Sequence, residues 1–541
     1  MKYSVLALAC AFTPALAQGQ ASGIDAAAWR QDLATIAEKL PATHPNAFYR
    51  MSKSSWDSAV KSIDARLTTM TRNQGIVAFM QLVAMVNDGH TSINPLFDGG
   101  MKLHYYPFEL FQFDDGLYVK SASPKYASLV GGKVVSIGDM TAGQAMAAIN
   151  TTVGHENEWF TRYWTPARIP FAEVLQGLGI ARDAERVSLV VEKDGTRKTI
   201  VVEQAGMFEP SGHNPNAGVP KHGWIDMRGT GEQALWTTRP EMPYWWDFVR
   251  ADSTMYVAYR GVISMDHPTN QQFWQGVFAA ADSLPLKRFV IDLRENPGGN
   301  SFYNRQVVRG IVARPKLDQR GKLFVITSGK TFSAAMNLVL DLEAWTNATF
   351  VGEPTGNASV FFGDHTQILL PASGLTVNVS TLPWYPDDPR DKRAFVAPRI
   401  YTPMTAADYR SNVDPAMRAI LSRGTTPPLG AVVERAVLAG DTIGALALVT
   451  SSKSRPENRF YSPEAEINTL GYRLIDSNPP AALAVFRINV KAFPNSGNAW
   501  DSLAEALVLA GQRSEGIAAY RKALEVAPGL ASAEQALARL K

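Results

Sequence analysis

Two segments of this 541-residue sequence carry residue types suited to acyl-transfer chemistry. In the first, Asp292-Leu293-Arg294-Glu295-Asn296-Pro297-Gly298-Gly299-Asn300-Ser301 follows a strand-like run and contains paired glycines. Adjacent glycines let backbone N–H groups point into a cavity with no side chain in the way, as an oxyanion hole requires. A plain strand-to-loop turn would carry the same residues. In the second, Ser333 stands after the apolar run Leu323 to Thr327 and the turn Ser328-Gly329-Lys330, ahead of a helical stretch rich in Ala and Leu. A serine there is either an N-cap or a nucleophile, because a helix dipole and the free N–H groups of a first turn stabilise a developing oxyanion.

The elements around both segments predict how they meet. From Thr254 to about Pro398, β-branched runs alternate with helical stretches: Met255 to Tyr259, a helix near 270–281, Phe289 to Asp292, a helix near 303–313, Leu323 to Thr327, then a helix from Ser333. That order implies βαβ units and a mostly parallel sheet. Such sheets place ligands at the carboxyl ends of their strands, and both segments directly follow strands. The sequence thus predicts an α/β core over 250–425 in which the two loops share a site.

Other regions read differently. Residues 24–105 show apolar positions at helical spacing, for example Leu33, Ile36 and Leu40, and form a helical cap. Residues 106–206 carry short strand-like runs broken by Asp-Gly and Gly-Gly turns, with a helical insertion expected from Trp159 to Leu178. Residues 431–541 are helical. Within them Trp500, Leu503, Ala504, Leu507, Gly511, Tyr520, Ala523 and Pro528 stand at tetratricopeptide-repeat offsets, and a weaker upstream copy ends at Pro494. So few repeats need neighbouring helices or a partner protein to lean on.

The chemistry-bearing segments resemble peptidase family S41, the tail-specific and tricorn-like serine peptidases. Asp292 to Gly299 is similar to the family's Asp-x-Arg-x-Asn-x-Gly-Gly motif, Thr331-Phe332-Ser333-Ala334-Ala335 to its nucleophile motif, and Val351-Gly352-Glu353-Pro354-Thr355-Gly356 to the strand and turn beyond. Asn87-Asp88-Gly89-His90-Thr91 resembles the Asp-Gly-His-Thr element of the tricorn-like branch. The resemblance implies a ClpP/crotonase-like core, a PDZ-like domain at Leu129 to Gly138 and its surroundings, and peptide or protein substrates. Carried over by position, Ser333 is the nucleophile, His90 the general base, and Gly298 or Gly299 with Ala334 the oxyanion donors. A carboxylate is expected ahead of Val396-Ala397-Pro398, with Asp391 first and Asp388 second. His365 rivals His90, and His44 and His104 are the other histidines that could lie near a cleft. The lysine of the tail-specific branch has no counterpart between Phe350 and Gln367, and the chain departs from the family at Gly89 and Met336.

Composition bounds the alternatives. Hydrophobic residues make up 46%, charged residues 19% and aromatics 10%, a folded globular protein. A net charge of +3 without a basic run argues against nucleic acid as a partner. Lys2 and the apolar stretch Val5 to Leu16, ending in Ala15-Leu16-Ala17, predict a leader over 1–17, export to a periplasmic or extracellular space, and no membrane span afterwards. Lipid attachment at Cys10 is the competing reading. Cys10 is the only cysteine, so the mature chain would hold no thiolate nucleophile, disulfide or thiolate metal site. No cofactor is expected, and no metal-ligand spacing or phosphate loop stands out. A non-catalytic peptide-binding scaffold and an exported esterase or amidase are the rival functions.

Overall fold

The computed structural model describes residues 24–97, 101–208, 223–422 and 428–540; the expected leader, its cleavage point and Cys10 lie outside them. No helix among the described residues is long and apolar enough to cross a membrane.

The N-terminal helices are Ala26–Thr43, Lys53–Arg66 and Arg72–Ala84. Each starts at a polar cap: Asp25 accepts from the N–H groups of Ala27 and Ala28, Ser52 from Ser55, and Thr71 closes a capping box with Gln74. Trp29, Leu33, Ile36 and Leu40 form the buried stripe of the first helix. Their core is shared with the antiparallel hairpin Thr366–Leu370 and Leu375–Val379 from much later in the chain. Ser92 and Asn378 exchange both backbone hydrogen bonds, at 3.0 and 2.9 Å. The helical region is therefore clamped to a hairpin from the later part of the chain rather than standing alone.

A seven-stranded sheet follows, its main path running Phe108–Phe113, Gly116–Ala122, Lys133–Ile137, Arg186–Lys193 and Thr196–Glu203, with every pair antiparallel. The expected helical insertion is realised as Glu158–Trp164, the turn Pro166–Arg168 and Ala172–Gly177. Asn157 anchors it: its Nδ2 donates to the carbonyls of Gly356 and Ala394 at 3.0 and 2.8 Å. The insertion thus ties this sheet to the core that follows.

That core is a six-stranded sheet in the order Ile400–Tyr401, Thr349–Gly352, Leu323–Thr327, Arg288–Asp292, Thr254–Tyr259, Tyr244–Val249. All neighbours are parallel except the edge pair formed by Tyr244–Val249. The sequence reading began the core at Thr254 and missed this edge strand, whose Tyr-Trp-Trp-Asp-Phe-Val run has aromatic residues on both faces and no alternation to mark it. Leu323–Thr327 is buried at every position, as a parallel strand covered on both faces must be. The helices Asn270–Ser283, Asn304–Val312 and Ala334–Trp345 pack their apolar faces on the sheet.

Helices from Leu429–Leu438 to Ala531–Arg539 close the chain around a core of their own. In the best repeat match, Gly497–Leu509 and Arg513–Val526 are joined through Gly511 at a φ of 77°, a left-handed turn position that favours glycine. Phe460 docks this region on the core, its ring 5.9 Å from Trp159, 5.9 Å from Phe395 and 5.2 Å from Tyr401.

Candidate active site

The loops after Arg288–Asp292 and Leu323–Thr327 lie side by side because side-chain and backbone hydrogen bonds sew them together. Ser328 Oγ donates to the Arg294 carbonyl at 2.6 Å, Thr331 Oγ1 to the Leu293 carbonyl at 2.9 Å, and the Phe332 N–H to the Asn296 carbonyl at 3.1 Å. Beneath them Arg294 is bound by Asp292 and, bidentately at 3.0 and 2.9 Å, by Asp414, while Tyr256 donates to Asp292 at 2.6 Å. Lys330 and Glu295 form a second buried ion pair at 2.8 Å. The charged residues of both motifs are therefore scaffolding that fixes the loops.

Ser333 has φ 54° and ψ −126°, a region a non-glycine residue seldom enters. Its side chain makes no capping hydrogen bond, so the N-cap alternative is not realised. Its N–H is held instead by Oδ1 of the fully buried Asn357 at 2.5 Å. A Cβ on Gly298, at φ 111°, would sit 2.5 Å from that of Ser333, so only glycine admits the Ser333 loop here. The Gly298 N–H itself donates to Asn296 Oδ1 at 2.9 Å. Of the expected oxyanion donors, Gly299 and Ala334 are the two whose N–H groups take no acceptor among the described residues. Gly298 contributes its missing side chain.

His90 comes from the N-terminal region. Its ring stacks on Phe332, the residue before Ser333, with centroids 4.4 Å apart. Asp88 is buried and holds the loop: it accepts from the His90 N–H at 3.0 Å, Thr91 Oγ1 at 2.6 Å and Ser380 Oγ at 2.5 Å, and pairs with His44 Nε2 at 3.2 Å. Burial opposes its ionisation, but the bond from His44, the field of His90 and the two hydroxyls outweigh it and hold the carboxyl below its usual range. His90 Nδ1 lies 3.9 Å from Asp88 Oδ1, an electrostatic rather than a hydrogen-bonded distance. Burial pushes the His90 ring below the usual histidine value; the charge of His365 acts the same way, and Asp88, Asp364 and the Phe362 backbone oppose it.

The departures from the family pattern have physical reasons. A Cβ on Gly89 would lie 2.7 Å from the Phe332 ring, so a serine has no room there. Met336 is fully buried in the apolar core packed on the sheet.

Asp391, the carboxylate expected to orient the system, is bound by Arg393 at 2.8 Å, and that arginine holds it below the usual carboxylate range. Asp388 is bound by Arg390 at 2.9 Å. Neither hydrogen-bonds His90. Of the other histidines, His104 is paired with Glu173 at 2.6 Å, His44 belongs to the Asp88 network, and His365 is exposed beside His90. The sequence reading missed Asn357, Asp88 and Glu156. Glu156 Oε1 accepts the Gly89 N–H at 3.3 Å; burial and the charge of Asp88 push its carboxyl up to about 8 against the opposing field of Arg50. Asp88 was legible, since it stands two residues before His90 in the quoted motif; nothing local marks Asn357 or Glu156.

No family model matches the sequence, and no curated protein matches it significantly. Among solved structures, mature CPAF complexed with lactacystin is similar with a TM-score of 0.54 at 13% identity, over 74% of this chain and 98% of that chain. Mature CPAF alone gives a TM-score of 0.52 at 14% identity, over 74% and 96%. At these identities the likeness is one of fold. The chain has the fold of mature CPAF along nearly the whole of that chain.

Proposed function

We propose that this chain is a serine peptidase that hydrolyses peptide bonds through an acyl-enzyme. The observation that carries the reading is Ser333 itself: a strained, uncapped serine at a helix N-terminus, followed directly by the acceptor-free N–H of Ala334, with Gly298 packed on its Cβ and His90 stacked on the preceding Phe332. In this mechanism Ser333 Oγ attacks the scissile carbonyl carbon and its proton passes to His90, which burial keeps neutral and able to accept it. Gly299 and Ala334 N–H groups hold the oxyanion. Collapse expels the amine, protonated by His90, and water activated by the same ring releases the acid. Asp88, rather than the arginine-bound Asp391, is the carboxylate whose field steadies the imidazolium.

Export through the 1–17 leader, a PDZ-like role for the antiparallel sheet and a partner-binding role for the C-terminal helices complete the reading. A PDZ-like groove captures extended chain by strand addition and favours free C-termini. Peptides with free and amidated C-termini, digested by wild type and by Ser333→Ala and followed by mass spectrometry, test it. Equal cleavage of both forms would remove the C-terminal preference, and cleavage surviving in Ser333→Ala would remove the mechanism. A peptide-binding role without turnover is the second reading, favoured by His90 Nδ1, which is buried without a hydrogen-bond partner.

A further inference from the structure

The segment joining Ala142–Asn150 to Glu158–Trp164 lies against the His90 loop and takes no part in the chemistry above. The Thr91 N–H donates to the Asp88 carbonyl at 3.2 Å and closes that loop into a turn. A Cβ on Gly154 would sit 2.5 Å from the Asp88 carbonyl oxygen and 2.8 Å from that of Thr91, so the two backbones touch at both ends of the turn. Between those ends the Gly89 N–H donates to Glu156 Oε1 at 3.3 Å. Asn157, the next residue, donates from Nδ2 to the Gly356 and Ala394 carbonyls at 3.0 and 2.8 Å. Gly356 precedes Asn357, whose side chain holds the Ser333 N–H. Two adjacent side chains thus reach the loop of the proposed base and the loop that supports the proposed nucleophile.

Glu156 brings a second carboxyl to a turn that already has one. Its Oε2 is buried without a hydrogen-bond partner and lies 3.3 Å from where a Gly89 Cβ would stand, the same point that the Phe332 ring approaches to 2.7 Å. Burial and the charge of Asp88 oppose ionisation of Glu156, while Arg50 and the Gly89 N–H favour it. His44, His90, Thr91 and Ser380 face Asp88, and His365 and Asp364 face His90. The favourable contacts of the cluster therefore go to Asp88, which is the anion, and leave Glu156 the neutral acid. A neutral carboxyl still accepts an N–H through its carbonyl oxygen.

We propose that Glu156 is a positioning residue for His90: as a neutral acid it fixes Gly89, and through Gly89 it holds the His90 ring on Phe332 without adding a second charge beside the base. The inference rests on the peptidase reading and adds a residue to its site. Wild type, Glu156→Ala and Glu156→Gln are compared by kcat, KM and the pH dependence of kcat/KM. Glu156→Ala is expected to lower kcat by about tenfold or more with KM nearly unchanged, because the base is displaced from the proton it takes while peptide still binds. Glu156→Met, which fills the space without an acceptor, gives the same reading where the Ala variant fails to fold. Gln keeps both the acceptor and the neutral charge, so Glu156→Gln should restore kcat close to the wild-type value and leave the acid limb of the pH profile in place. A limb moved toward acid in Glu156→Gln would make Glu156 a charge acting on the ring and overturns the inference. So does a Gln variant as slow as the Ala or Met variant, or an Ala or Met variant as fast as wild type; in each case the peptidase reading stands. Folded wild type that neither cleaves peptide nor reacts with a fluorophosphonate overturns both.

Discussion

The amide oxygen of Asn357 takes the N–H of Ser333 at 2.5 Å, across 24 residues of sequence, and so holds the serine's backbone at a φ of 54°. Because that N–H is occupied, the proposed mechanism draws its oxyanion donors from the next amide along, Ala334, and from Gly299, whose N–H groups take no acceptor among the described residues. Asn357 in turn sits on a loop tied back to the same segment, since the Gly356 N–H donates to the Thr331 carbonyl at 3.1 Å.

Asn357→Ala should therefore act on turnover more than on binding. Loss of the acceptor leaves a buried donor unpaired, which costs about 1–3 kcal/mol of stability. It also frees Ser333 to relax, and kcat is expected to fall by about 10- to 100-fold with KM nearly unchanged, as for loss of an interaction made in the transition state. Steady-state kinetics beside a melting curve checks both.

Gly298→Ala should abolish reactivity of Ser333 toward a serine-directed probe. The added methyl would sit 2.5 Å from the Ser333 Cβ, at a backbone φ of 111° that alanine resists. Probe labelling by intact-mass spectrometry, with circular dichroism to establish folding, is the measurement.

Much of this could be read from the chain, and what could not has a common cause. The parallel core, the helical insertion and the placement of Ser333 and the glycine pair on loops after strands follow from local patterns, carried within about ten residues. The hairpin partner of the N-terminal helices and the acceptor of the Ser333 N–H lie far away in sequence, and no spacing rule reaches them. Asp391 misled for the opposite reason. It has the right place in the order of segments, but Arg393 two residues on captures its carboxylate locally.

The pH dependence of kcat/KM should show an acid limb below the usual histidine value. Burial lowers the His90 value, so the ring stays neutral to a more acidic pH and activity is lost only as pH falls through that lowered value. Asp88→Asn removes a field that favours the imidazolium. The limb should then move further toward acid, and the plateau rate should fall by at least about tenfold as the charged intermediate loses its partner.

Glu156→Gln should stabilise the protein increasingly as pH rises. Burial and Asp88 raise the folded value of Glu156 to about 8, above that of the unfolded chain. The folded state then holds a proton that the unfolded state has released, and wild-type stability declines with pH until about 8. Gln has no such proton. Melting temperatures of the two proteins should lie close together near the unfolded carboxyl value and diverge toward pH 8, with the variant higher; parallel curves would contradict the assignment.

The most direct test of the account is treatment of the purified protein with a fluorophosphonate, followed by peptide mapping, beside Ser333→Ala and His90→Ala. A single adduct on Ser333, absent from Ser333→Ala and strongly slowed in His90→Ala, is the result expected of an activated serine with His90 as its base. An unmodified Ser333 in correctly folded wild-type protein would contradict it.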